Sequence, residues 1–297
     1  MQTRAALTPD FLSRILGLTL KARAVLEGTL AGTHRSPFHG YSSEFAQYKG
    51  YVPGDDLRHL DWKAYARRDQ LVTRQYRDET NTAVHLLLDT SASMGYRSSP
   101  RGPQPDPFSK LDTARVLAAA LTVLAERQRD TVTLAHGGET LEGFFPAGSG
   151  PRATTAVIAR LEQLEATGDT ALETLFAHEA ARIAGQSFVF LFTDLWQDPE
   201  PVAAGLRRIR RKSRAATVVQ LRTRDEDEFF PAGALRLRDL ETGEALDVDA
   251  APARAAYAAA LREHAQRMAA ACAKLNVRLV PIRTDEPLDH AMKKVLG

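Results

Sequence analysis

A single cysteine, Cys272, stands in 297 residues. An intrachain disulfide is excluded, and so is a Cys-rich zinc module. This usage fits a reducing compartment, so a cytoplasmic protein is expected. Charge of one sign is also lacking: 39 Lys and Arg face 37 Asp and Glu, a formal net charge of +2. Wholesale attraction to nucleic acid or to a membrane surface therefore has no support. Long apolar runs are missing too. The stretch from Phe11 to Leu30 is broken by Arg14, Lys21, Arg23 and Glu27. It offers neither the continuous apolar region of about 7–15 residues of a signal peptide nor the about 20 residues of a spanning helix, so no integral membrane segment is expected. Its apolar positions, Phe11, Leu12, Ile15, Leu16, Leu18, Leu20 and Val25, predict instead an amphipathic helix docked on the protein's own core.

The common catalytic signatures are absent. No GxxxxGK[ST] loop, GxSxG elbow or HExxH helix occurs in the sequence, which argues against a P-loop ATPase, an α/β-hydrolase and a zinc protease. The eight histidines show no metal-ligand spacing, and His85, inside an apolar run, reads as a core histidine. Cys272, in an Ala-rich stretch, reads as buried packing. The only concentrated basic run, Arg207 to Arg214, sits at a helix carboxyl end and reads as a solvated face rather than a nucleic-acid patch. The acidic run Asp225-Glu226-Asp227-Glu228 reads as a solvated loop.

What is present is a folded composition, 44% hydrophobic and 26% charged, with an alternation of strand and helix patterns from residue 83 onward. Short apolar runs at 83–88 and 188–192 read as buried strands. Further strands are expected at 131–136, 138–145, 216–221 and 277–282. Helical patterns fall at 110–128, 152–164, 171–184, 199–214, 250–275 and 288–296, and a hairpin signal centres on Glu241-Thr242-Gly243. This order predicts an α/β fold with a mostly parallel sheet covered by helices on both faces. In such a sheet, ligands bind beyond the carboxyl ends of the strands.

The first buried run ends in Asp89-Thr90-Ser91-Ala92-Ser93. An acid and two hydroxyls at alternate positions bring three oxygens toward one point, a donor set suited to a hard cation such as Mg²⁺ or Mn²⁺. The same residues also suit a helix cap and turn. The second buried run ends in Thr193-Asp194, and Gly168-Asp169-Thr170 opens a helix between them. Taken together, Asp89, Ser91, Ser93, Thr170 and Asp194 resemble the metal-ion-dependent adhesion site of a von Willebrand factor A domain, a Rossmann-like fold. That resemblance covers about residues 81–297. It implies an ion touched by the hydroxyls of Ser91, Ser93 and Thr170, with Asp89 and Asp194 acting mainly through water or one of them directly. It further implies an open position for an external carboxylate, hence a binding device and not an enzyme. A metal-dependent phosphoester hydrolase is the alternative; it needs a general base, for which Asp169 is the one candidate.

Residues 40–80 carry a second resemblance. Ser43-Glu44-Phe45 is followed by Tyr51-Val52-Pro53-Gly54-Asp55-Asp56-Leu57-Arg58-His59-Leu60-Asp61-Trp62, then Ala66-Arg67, Arg74, Tyr76 and Glu79. This order resembles the domain-of-unknown-function 58 family. The resemblance implies a partner, a MoxR-type AAA+ ATPase, and an adaptor or co-chaperone role in assembling or maturing client proteins. The segment 1–80 is then a family-specific extension packing on the domain 81–297. Asp55, Asp56, Arg58, Asp61 and Trp62 suit either a docking surface for that ATPase or a salt-bridged packing motif.

Overall fold

The computed structural model describes residue 12 and residues 17–30, 45–50, 64–65, 71–76, 82–98, 108–137, 141–146, 148–169, 172–183, 187–228 and 233–297. Thr170 and the residues Asp55, Asp56, Arg58, Asp61 and Trp62 lie outside them. The chain divides into two compact units, residues 1–37 with 82–297, and residues 38–81. The expected lead-in 1–80 is thus shared between them. In the smaller unit, β1 (Phe45–Gly50) and β2 (Val72–Tyr76) pair antiparallel.

The larger unit is built on a six-stranded sheet. Its strands are β3 (Ala83–Asp89), β4 (Thr131–Gly137), β5 (Leu141–Pro146), β6 (Ser187–Thr193), β7 (Ala215–Arg222) and, last in sequence, β10 (Arg278–Arg283). Their spatial order is β10-β7-β6-β3-β4-β5. All neighbours are parallel except β4 and β5. Helices α1 (Leu18–Leu30), α2 (Lys110–Gln128), α3 (Pro151–Gln163), α4 (Leu172–Arg182), α5 (Pro199–Arg210) and the short α6 (Arg224–Glu228) connect or cover these strands. The hairpin of β8 (Ala234–Arg238) and β9 (Ala245–Asp249) precedes the long helix α7 (Ala250–Lys274), and α8 (Leu288–Leu296) closes the chain. The expected mostly parallel α/β architecture is observed.

Both faces of the sheet are buried, which is why β3 and β6 are largely apolar on both faces rather than alternating. On one face Leu87, Val189, Leu191 and Val218 pack with Phe176 of α4, Leu206 of α5 and Met268 and Cys272 of α7. Residues of the opposite pleat, Leu86, Leu88, Phe190 and Phe192, are equally buried, and α2 contacts β3, β4 and β7. Helix α1 packs on α2 and α8 through Leu18, Ala22, Val25, Leu26 and Thr29, the i, i+4, i+7 stripe expected of a docked helix. Leu20, assigned to that stripe from the sequence, is 58% exposed, two positions round the helix from Leu18. Among the described residues, no helix is long and apolar enough to cross a membrane. His85 is a core histidine as expected: its Nδ1 lies 3.1 Å from Glu179 Oε2 and 2.9 Å from Thr133 Oγ1.

Helices α4 and α5 approach through Gly205, where an added Cβ would collide with the Phe176 ring. Both residues are buried, so little room exists for relaxation. Gly205→Ala is expected to destabilise the protein by about 1–3 kcal/mol, the usual cost of overpacking, although alanine is the better helix former. Denaturant unfolding of the two proteins measures this directly; equal midpoints would show that the helices separate without strain.

Candidate functional site

From β3 the chain crosses to β4 on one side of the sheet and later returns to β6 on the other. The strand order therefore reverses between β3 and β6, and a crevice is expected beyond their carboxyl ends. The register places Leu88 opposite Phe192, which brings Asp89 level with Thr193. The sequence-assigned residues Asp89, Ser91, Ser93 and Asp194 all fall at this point.

Local hydrogen bonds fix their arrangement. Asp89 is fully buried. Its Oδ1 accepts from the Ser91 amide at 3.0 Å, and its Oδ2 accepts from the Thr193 hydroxyl at 2.7 Å. The Ser91 and Ser93 hydroxyl oxygens are 3.1 Å apart. Thr193 also accepts from the Leu195 amide at 3.1 Å. Leu195 is a buried residue with φ of 63°. That conformation strains a residue with a bulky side chain, and such strain persists only where the surroundings impose it. Here His264 Nε2 lies 2.8 Å from the Leu195 carbonyl oxygen. The loop leading to Thr170 is tied to the same strand end: the Thr167 amide donates to the Thr90 carbonyl at 2.8 Å, and the Ala92 amide donates to the Gly168 carbonyl at 2.9 Å.

Burial pushes the Asp89 carboxyl up from 3.8 to about 7, the nearby charge of Asp194 adds to that rise, and the hydrogen bonds from Ser91 and Thr193 oppose it. Two acids this close in a dry site repel each other.

The structure adds residues that the sequence did not single out. Lys110 is the first residue of α2, whose start is closed by a reciprocal cap between Ser109 and Asp112. A cation at a helix amino end opposes the helix dipole, and this one is only 1% exposed. Two carboxylates explain its position. Lys110 Nζ donates to Asp194 Oδ2 at 2.7 Å and to Glu226 Oε1 at 2.7 Å. Burial alone would lower the lysine's pKa, but the charges of Asp194 and Glu226 outweigh it and hold the ammonium above its ordinary range. The other Glu226 oxygen accepts from the Thr223 amide at 2.7 Å and the Thr223 hydroxyl at 2.9 Å. The expectation of a solvated loop at Asp225–Glu228 is therefore corrected: the run forms α6, and Glu226 is turned into an ion pair with a buried lysine. The cue for Lys110 was its place, a lysine at the first position of a helix, where its charge opposes the dipole. Glu226 left no such cue among four acids in a row.

Whether these residues suit a cation turns on one atom. Asp194 is 1% exposed, Lys110 takes its Oδ2, and its Oδ1 is buried with no hydrogen-bond partner among the described residues. An unpaired carboxylate oxygen is costly in a dry interior. Among the described residues, no three His, Cys, Asp or Glu side chains cluster as a ligand set. An ion here would thus rest on the Ser91 and Ser93 hydroxyls with Asp194 Oδ1, an all-oxygen set that fits Mg²⁺ or Mn²⁺ and disfavours zinc.

A family model with the description protein of unknown function DUF58 matches residues 47–267. An uncharacterized protein of Mycobacterium tuberculosis is 28% identical over 283 residues, spanning 92% of this chain and 84% of that protein. The uncharacterized protein YeaD of Bacillus subtilis is 41% identical over 59 residues, 20% of this chain and 15% of its own. Among solved structures, an aerotolerance-related membrane protein of Bacteroides fragilis aligns with a TM-score of 0.44 and 14% identity, over 71% of this chain and 95% of its own. A von Willebrand factor type A protein of Catenulispora acidiphila aligns with a TM-score of 0.41 and 15% identity, over 77% and 44%.

The raised Asp89 pKa has a consequence for stability. The folded protein holds the Asp89 proton more tightly than the unfolded chain does. This contribution is fully present below about pH 4 and is lost as pH rises through about 7. With divalent ions chelated, the stability of the protein relative to Asp89→Asn is expected to fall between about pH 4 and 7. Urea titrations of both proteins across that range measure it, and a constant difference would contradict the assignment.

Proposed function

The chain belongs to the family described as protein of unknown function DUF58, and from that premise we propose that it is a non-enzymatic, metal-dependent protein-interaction module. The observation that carries this reading is the Asp194 Oδ1 atom, buried and without a hydrogen-bond partner among the described residues, beside Asp89, Ser91 and Ser93. Mg²⁺ or Mn²⁺ would be held by Ser91, Ser93 and Asp194, with Thr170 and Asp89 completing the set. When bound, the ion supplies an electrophilic position, since few formal charges contact it, and that position takes an acidic side chain of a client protein. The chain's own residues orient these donors: Thr193 holds Asp89, and the amide of Ser91 fixes the turn that carries both serines.

The partner in this reading is a MoxR-type AAA+ ATPase, and the role is that of an adaptor or co-chaperone in the assembly or maturation of other proteins, in the cytoplasm. Asp55, Asp56, Arg58, Asp61 and Trp62 form its docking surface. Arg58→Ala is then expected to lose ATPase binding at an unchanged melting temperature; lost binding together with a lower melting temperature would make the segment a packing motif instead.

Calorimetric titration with Mg²⁺ and Mn²⁺, paired with affinity capture with and without the ion, tests the main reading. Asp89→Ala is expected to abolish ion binding and ion-dependent capture. Identical titrations for the two proteins would overturn the reading, and Asp89-dependent turnover of phosphoesters would replace it with a hydrolase.

A further inference from the structure

The Lys110 ammonium stands within one carboxylate of the proposed ion position, and no part of the proposed function uses it. Lys110, Asp194 and Glu226 come from three elements, the start of α2, the end of β6 and α6. Lysine and both carboxylates are 1%, 1% and 16% exposed at their side chains. An ion pair this dry is costly to assemble, because desolvation rivals the mutual attraction. Lysine at the first position of a helix is opposed by the dipole as well. Packing alone gives no reason to place a cation there.

Charge balance supplies a reason. Ionised, Asp89, Asp194 and Glu226 carry three negative charges against one on Lys110. The surplus of two matches one divalent cation and no monovalent one. Geometry agrees with the balance. Lys110 takes Asp194 Oδ2 and Glu226 Oε1, while Thr223 takes the second oxygen of Glu226. Of these four oxygens, only Asp194 Oδ1 lacks a partner among the described residues.

We propose that Lys110 is a resident counter-cation of the ion site, a positioning residue that occupies one oxygen of Asp194, presents the other to a divalent ion, and weakens that ion's binding by like-charge repulsion. This inference rests on the metal-dependent reading above. The ammonium keeps the two buried carboxylates compatible when no ion is bound. It also makes binding of the ion reversible, because the site never carries its full negative charge. Glu226 extends the arrangement to α6, which is also held by Tyr257 on α7, donating to the Glu226 carbonyl at 2.6 Å, and by Tyr96, donating to Asp225 Oδ2 at 3.1 Å.

The test uses the full chain and Mn²⁺, followed by the paramagnetic resonance signal of the free ion. The double variant K110M/E226Q removes one charge of each sign, keeps the surplus at two, and leaves an amide oxygen to accept from Thr223. It is expected to bind Mn²⁺ at least about tenfold tighter than the unaltered protein, since the ammonium sits on Asp194 itself while the Glu226 carboxylate removed with it stands one group farther from the ion position. Asp89-dependent binding of equal strength in both proteins would overturn the role of Lys110 and leave the metal reading standing. Titrations that do not change on Asp89→Ala, in either background, would overturn both. A second measurement needs no variant at this position: in lysine-labelled protein, substoichiometric Mn²⁺ is expected to broaden the Lys110 side-chain signals before those of the other lysines. Broadening that leaves Lys110 untouched would contradict the proposal.

Discussion

A buried ammonium held between two carboxylates fixes the geometry at the carboxyl edge of the sheet. Lys110 links the first residue of α2 to Asp194 at the end of β6 and to Glu226 in α6. Each of these elements needs the link. The start of α2 carries a cation against its own dipole, Asp194 is a buried acid, and α6 is a five-residue helix, far too short to form alone. Removing one partner from such a buried set leaves an uncompensated charge, at a typical cost of about 3–5 kcal/mol. The arrangement is thus stable as a whole and intolerant of partial loss.

The second constraint is topological. Reversal of strand order between β3 and β6 opens a crevice there, and the polar groups at those two strand ends are the ones that must find partners among themselves. Thr193 bridges the strands, donating to Asp89 and accepting from the strained Leu195. Asp89 is held by its neighbours yet pushed toward neutrality by burial and by Asp194. A cation at Asp194 would relieve both the repulsion between the acids and the unpaired Oδ1. The unpaired oxygen and the repulsion between the acids are the features on which the proposed function draws.

Much of this was legible in the sequence because it rests on local pattern. The apolar runs 83–88, broken only by His85, and 188–192 mark β3 and β6, helical periodicity marks α2 over 110–128 and α8 over 288–296, and the oxygen-bearing residues after each strand mark Asp89, Ser91, Ser93 and Asp194. What escaped depends on distance in the chain. Glu226 lies 116 residues from Lys110, and nothing in the run Asp225–Glu228 distinguishes the acid that turns inward from those that face water. Leu20 was placed on the buried stripe of α1 because it is apolar, whereas the angle between successive residues puts it on the other side of the helix.

In the proposed arrangement Asp194 serves two cations at once, Lys110 on one oxygen and a divalent ion on the other. Crystals grown with Mn²⁺, with anomalous diffraction collected at the manganese edge, test it most directly. One strong anomalous peak is expected, bounded by the Ser91 and Ser93 hydroxyls and Asp194 Oδ1, with Lys110 Nζ still on Asp194 Oδ2. Density showing the lysine alone, with no anomalous peak at the strand ends, would contradict it.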